Sequence, residues 1–509
     1  MVFDSFTHAS RWLDLTTFGP KKGEADALIN QHAKAWFDEQ VNLPATSHLK
    51  QLDTQFKAQG YGKMPARATR VRAWLDIAFY APDQLRQRIA YALSQIFVAS
   101  DQDALLINKT VAMAGYNDLL CKHAFGHYKE LLSAVTLSPV MGQYLTMVGN
   151  QKGDPATGRR PDENYAREIM QLFSIGLYQR DLDGSYLLDS NGKPVPCYTE
   201  SDIQELARIF TGWNHTDRDL LTPMKNNRVD HDTGEKQVLG VRFPKNMPAE
   251  EELELVMETL LHHPSTAPNF CKNLIQKLTT SNPSPDYVRR VVEVFLDNGE
   301  GVTGDLKAVV WAILADEEVY TAPPKTMSKI REPWLSLVAV YRALDVKPGG
   351  GVDVVQSDLL YLKTCNQYPL GSPSVFNFYH PDFAPKGVVK DNRLVAPELE
   401  IIDWSHIIYL HNYIFGLLRL NLQDLKAPLK KQLYVNVEDF KKHLENNDIN
   451  GFNQEVSARF FNGAMPDSLK NIIEDNHNGI DIGSGKWVQR LLFIALASPY
   501  FHVQENRAT

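Results

Sequence analysis

PDENYAREIMQLFSIGLYQRDLDGSYLLDSNGKPVPCYTESDIQELARIFTGW, residues 161–213, is the stretch around which the chain is organised. It reads as two helical segments, PDENYAREIMQLFSIG and YTESDIQELARIFTGW, joined by DLDGSYLLDSNGKPVPC. In the first segment Tyr165, Ala166, Ile169, Met170, Leu172 and Phe173 are apolar. Its polar residues, Asn164, Arg167, Glu168, Gln171 and Ser174, recur at spacings of three and four and form a narrow stripe on a greasy helix. So narrow a stripe is expected to be partly buried, and buried charge is costly unless it is paired or used. Within the linker, Asp189-Ser-Asn-Gly192 is a tight-turn signal, so 185–188 and 193–196 are expected to pair as a β-hairpin. Asp181-x-Asp183-Gly184 lacks the twelve-residue calcium-loop pattern and reads as a plain turn.

Outward from that centre the pattern is helical. Amphipathic or apolar periodicity predicts helices over 8–20, 24–40, 65–80, 82–100, 104–125 and 127–147 on the N-terminal side. On the C-terminal side it predicts helices over 250–262, 267–280, 285–298, 303–319, 328–345, 401–423, 429–447, 466–475 and 485–499. The 82–100 helix carries Leu85, Ile89, Leu93, Ile96 and Phe97 on its apolar face and Arg86, Gln87, Arg88 and Gln95 on its polar side. Residues 346–400 are rich in Gly, Pro and aromatics and read as a long irregular segment. The expected class is all-α: a large multi-helix globular protein with one small β-hairpin and long irregular loops. Three parts are expected: an N-terminal helical lobe (1–150), a central lobe (151–345) and a C-terminal part (346–509) packing on the core.

With 509 residues, 43% hydrophobic and 22% charged, the chain has the composition of a globular protein. Its net charge of −8 argues against nucleic-acid binding. No apolar run is long enough to span a membrane. No leader is visible at the N-terminus. The four cysteines are far apart and lack Cys-x-x-Cys spacing, so buried thiols are expected rather than a structural zinc site.

The chain resembles the bacterial domain-of-unknown-function-1800 family over nearly its whole length. The phrases that carry the resemblance include QLRQRIAYALSQIFVAS (84–100), ENYAREIMQLFSIGLY (163–178), DHDTGEKQVLG (230–240), HPSTAPNFCKNLIQKLTTSNPSP (263–285), REPW (331–334) and SPSVFNFYHPDFAP (372–385). The resemblance implies a periplasmic or extracellular location, with the cytoplasm as second choice. It also implies a possible partner from a second exported family, domain-of-unknown-function 1501, which is similar to sulfatases. It implies no activity, and it leaves enzyme status, cofactor and metal unknown.

Two readings of the centre stay open. In one, Glu163/Arg167 and Glu205/Arg208 are helix-surface ion pairs that knit the two helices, and Thr199 with Asp202 is a capping box. In the other, Arg167 binds an anionic group, Glu168 is a general base or metal ligand, and His231 joins them in a catalytic set. Asn164, Glu163, Trp213, Asp232, Lys236 and His263 would then line a ligand site. The phrase Asp230-His231-Asp232-x-Gly-x-Lys236 gathers two carboxylates, an imidazole and an ammonium, which can grip an anion or a metal or can form an ordinary polar turn. The His262-His263-Pro264 step reads more readily as a helix cap than as a ligand. Tyr368, Phe376, Phe378, Tyr379 and Phe383 read mainly as packing, with a sugar-stacking platform as the alternative. The functional expectation is a polar cleft that binds or processes an anionic or carbohydrate-like extracellular molecule. The alternative is a non-catalytic accessory protein.

Overall fold

Alternation of apolar and polar residues at helical spacing leaves this chain little choice of layer, and helix packs on helix throughout. The computed structural model describes residues 1–60, 62, 64–323, 327–348, 365–419, 433–478 and 487–505. It is about 52% helical, with only short antiparallel strand pairs. Those pairs join Trp213–Asn214 to Lys225–Asn226, Lys236–Val238 to Val241–Phe243, Ser328–Ile330 to Val503–Glu505, and Lys347–Pro348 to Leu433–Tyr434. Parts of the expected 346–400, 401–423, 429–447 and 485–499 segments lie outside the described residues.

Several helices are shorter than their periodicity predicts, each for a local reason. The 24–40 stretch divides into Glu24–Leu28 and Ala33–Asn42, because Asn30 takes a left-handed φ of 65°. The 127–147 stretch divides into Tyr128–Leu137 and Pro139–Tyr144, since the residue before a proline is driven out of the helical region. The 328–345 stretch begins as a strand, not a helix, and the helix is confined to Pro333–Ala343. Two helices that the periodicity did not single out, His48–Gln59 and Ile449–Phe460, complete the packing.

Two large apolar cores result. One runs from Phe3 to Met327 in sequence, with Leu370 added, and so joins residues on both sides of position 150. The other gathers Trp334 to Phe501 with Phe18, Trp74 and Tyr91 from the N-terminal part. The polar side of the 82–100 stretch is not solvated as its composition suggests. Gln87, Arg88 and Gln95 are buried, and Gln95 Nε2 donates to the Glu332 carboxylate at 2.8 Å.

The central segment carries a local irregularity. Asn164–Glu168 is α-helical, but Ile169–Phe173 widens into a π-helix. The Ser174 hydroxyl donates to the Ile169 carbonyl at 2.6 Å, and the Gly176 N–H donates to the Met170 carbonyl at 2.9 Å. Gly176 holds φ +78°, and a Cβ there would lie 3.0 Å from Asn269 Oδ1, so only glycine fits without displacement. Single π turns inside helices concentrate at functional sites. The second helix, Glu200–Ile209, starts with the expected Thr199/Asp202 capping box. Between them the expected hairpin is present as isolated bridges, Leu188 to Pro194 and Arg180 to Tyr186, closed at Gly192 with φ +74°.

Candidate functional site

The charges of the central pair are mostly paired with one another. Arg167 lies 3.5 Å from Glu163 and 3.3 Å from Glu200, which ties the first helix to the start of the second. Arg208 bridges Glu205 at 2.7 Å and Asp232 at 2.8 Å, which ties the second helix to the DHDTGEK loop. Burial by itself would raise the Asp232 pKa, but hydrogen bonds from Arg208 and the Gly234 N–H, with the charges of Arg208 and Lys236, together outweigh it and hold the carboxylate below its usual range.

The same loop is then sealed onto the Ala249–Leu261 helix. Lys236 Nζ meets Glu252 at 2.6 Å with both side chains wholly buried, and it also donates to the Asp232 carbonyl at 2.5 Å. His231 Nε2 sits 3.3 Å from the other Glu252 oxygen, off the line of a good hydrogen bond, while its Nδ1 meets the Thr211 carbonyl at 2.9 Å. Trp213 is buried in the first core. His263 Nδ1 accepts the Ser265 N–H at 3.2 Å, a capping role, and burial lowers its pKa. Asn164 is exposed and reaches Thr146 Oγ1 at 3.4 Å. Among the described residues, no three His, Cys, Asp or Glu side chains gather to hold a metal.

Glu168 differs from the rest. It is 6% exposed, and its Oε2 is buried without a hydrogen-bond partner among the described residues. Burial raises its pKa, with Arg167 only partly opposing. The hydroxyl of nearby Tyr198 is likewise buried without a partner, and burial pushes its pKa up to about 12.

One helical turn beyond Glu168 a cavity of about 300 Å³ opens, and Gln171 and Leu172 form part of its wall. The hairpin contributes Leu177, Tyr178, Arg180 and Tyr186. The Thr266–Leu278 helix contributes Asn269, Asn273 and Lys277. The irregular segment closes the other side with Phe376, Asn377, Tyr379, His380 and Asp382, and Gln95 and Val98 form the floor. The hydrogen bond from Gln276 Nε2 to the Pro381 carbonyl at 3.2 Å fastens that segment to the helix. Phe376 is 42% exposed and stacks on His380 with ring planes 27° apart. The Arg180 guanidinium lies over the Tyr186 ring at 4.2 Å. Lys277 Nζ lies over the Tyr379 ring at 3.9 Å. Aromatic faces, side-chain amides, the Arg180 guanidinium and the Lys277 amine around one opening, with the Asp382 carboxylate at its edge, suit a polar ligand with flat apolar faces and a negative group.

Of the residues singled out from the sequence, the structure brings Arg208, Asp232, His231 and Lys236 together in a closed network, with Arg167 and Glu163 in a separate surface group. None of Glu163, Asn164, Arg167, Glu168, Trp213, His231, Asp232, Lys236 and His263 lines the 300 Å³ cavity. The aromatic segment is divided: Tyr368 and Phe378 pack inward, whereas Phe376 and Tyr379 line the cavity. Asn269, Asn273 and Lys277 were missed, although they repeat the signal that marked the ENYARE helix: polar residues at spacings of four on an apolar helix.

No curated protein and no solved structure matches the chain. A family model, described as a protein of unknown function (DUF1800), matches residues 11–503. A match over nearly the whole sequence, through both cores and every wall of the cavity, means that the chain belongs to the domain-of-unknown-function-1800 family.

Proposed function

We propose that the chain binds a small carbohydrate-like molecule carrying an anionic group in the cleft between the hairpin, the Thr266–Leu278 helix and the aromatic segment. The observation that carries this reading is the exposed Phe376–His380 stack facing an opening that also holds five side-chain amides, Arg180 and Lys277. Sugar rings present flat C–H faces to aromatic planes and hydroxyls to amides, and an acidic substituent supplies the charge that the Arg180 guanidinium favours. Glu168, buried without a partner one turn away, is the candidate general base if the ligand is processed as well as bound. The family context supports a site of action outside the cytoplasm, in the periplasm or beyond the cell.

Calorimetric titration with uronic-acid and sulfated disaccharides tests the reading. Binding is expected, and Phe376→Ala is expected to weaken it about 3- to 10-fold, from roughly 0.5–1.5 kcal/mol of ring stacking. Absence of binding at millimolar ligand, or binding indifferent to both Phe376→Ala and Gln171→Ala, would falsify it.

A second reading, an accessory protein that docks a sulfatase-like exported partner, is favoured by one observation. The Trp404–Leu418 helix exposes Trp404, Ile408, Tyr409 and Phe415, and Trp404 is 83% exposed. Co-expression with a domain-of-unknown-function-1501 protein should give a complex that Trp404→Ser weakens at least ~10-fold, the loss of about 1.4 kcal/mol at an aromatic contact. Failure to co-purify removes this reading.

A further inference from the structure

Among the described residues three lysines are buried, and two of them have carboxylates. Lys236 meets Glu252, and Lys329 meets Glu398. Lys277 is 5% exposed, yet among the described residues it has no carboxylate within ion-pairing distance. It lines the 300 Å³ cavity instead.

Its surroundings explain why it stays unpaired. The carboxylate whose charge acts on it most, Glu332, is engaged by Tyr91 Oη at 3.0 Å, Gln95 Nε2 at 2.8 Å and Gln367 Nε2 at 2.5 Å. Arg88 donates to the Lys277 carbonyl at 2.9 Å and adds positive charge nearby. Lys329, paired to Glu398, adds more. Burial is the main cause that lowers the Lys277 pKa, to about 7; Glu332 and Glu398 oppose it, and Lys329 and Arg88 reinforce it. The face of Tyr379 steadies the ammonium form without accepting its proton. A large share of the side chain is therefore free amine at neutral pH, with its nitrogen at the wall of an open cavity.

We propose that Lys277 is a nucleophilic amine that captures an aldehyde or ketone group of the bound molecule as an imine. The inference rests on the cleft being a ligand site, and it deepens that reading: the ligand class becomes an acidic carbonyl compound, such as the open-chain form of an acidic sugar. The Nζ lone pair forms a C–N bond to the carbonyl carbon while the C=O π pair moves to oxygen, which takes up one of the two nitrogen protons. The resulting carbinolamine loses the nitrogen proton and the hydroxyl as water, and C=N forms. One amine and one carbonyl give one imine and one water, with no oxidation or reduction.

The test uses the whole wild-type protein with glyoxylate, an aldehyde bearing a carboxylate, and cyanoborohydride to fix any imine as a stable secondary amine. Peptide mapping should place the first adduct on Lys277. Its rate at pH 7 should be roughly 100-fold or more above that of exposed lysines, whose ordinary pKa near 10.4 leaves little free amine. The rate should rise with pH to a midpoint near 7. Lys277→Arg should lose this fast phase while keeping its far-ultraviolet circular dichroism. Adducts spread over exposed lysines, with Lys277 no faster, overturn the proposal. Calorimetry with acidic disaccharides separates the two readings. Sugar binding without fast Lys277 labelling removes the amine and leaves the cleft. Fast labelling without sugar binding supports the amine and removes the sugar reading.

Discussion

Glu168 shows how one residue can be costly to the fold and still be kept. With its Oε2 buried and undonated, the carboxylate loses hydration that the charge of Arg167 only partly offsets, so its pKa rises. With the folded pKa above the unfolded one, the native state holds the extra proton between the two values. Stability is then highest below the unfolded pKa and falls as pH rises through the folded pKa. Glu168→Gln should therefore raise the thermal midpoint at pH 7 and flatten the decline of stability above pH 5. The expected gain is about 1 kcal/mol, the low end for an unsatisfied buried polar group. Thermal melts of both proteins between pH 4 and pH 8 check this, and a lower midpoint for the variant across that range would refute it. Lys277 is the complementary case, a buried amine without a paired acid, whose pKa burial lowers to about 7.

At the scale of elements, the DHDTGEK loop is held by a buried ion pair to the helix that follows it, with Glu252 16 residues from Lys236. Lys236 and Glu252 are both fully buried, so the pair contributes little net stability but is expensive to break. Lys236→Met leaves Glu252 and His231 facing each other without the ammonium and should cost about 3–5 kcal/mol in urea unfolding. Lys236→Met with Glu252→Leu should recover most of that loss. A double variant as unstable as the single one would show that packing, not charge, fixes the loop. The π turn at Ile169–Phe173 is also an element-scale feature. It sets Gln171 and Leu172 on the cavity wall and lets the chain leave through Gly176 toward the hairpin.

Across the whole molecule, the ends of the chain are joined. The Ser328–Ile330 strand pairs with Val503–Glu505, and Arg331 meets Asp14 of the first helix at 2.9 Å, with Gln504 Nε2 reaching the same carboxylate at 3.1 Å. This closure brings the REPW phrase beside the 84–100 phrase, where Glu332 joins Gln95. The cavity is assembled in the same way, from the 84–100, 163–178, 263–285 and 372–385 phrases, which are far apart in sequence. Arg180 and Tyr186 of the hairpin complete it. The network Glu332–Gln95–Tyr379 links its floor to the second core.

The sequence by itself determined the fold class, the two central helices with their capping box, the turn of the hairpin, the family, and the suspicion attached to the ENYARE stripe. These are local properties: helical period, turn chemistry and capping depend on residues within a few positions. It also marked Gln171 and the Phe376–Tyr379 aromatics as polar or stacking candidates. Only the tertiary structure decided which charges are spent on one another and which face a cavity. Arg208 and Asp232, like Lys236 and Glu252, are brought together by packing, and nothing at either position announces the partner. Lys277 and Lys236 look alike in sequence. The fold gives Lys236 a carboxylate and Lys277 an opening, because burial and pairing arise from packing between elements rather than from helical or turn spacing along the chain.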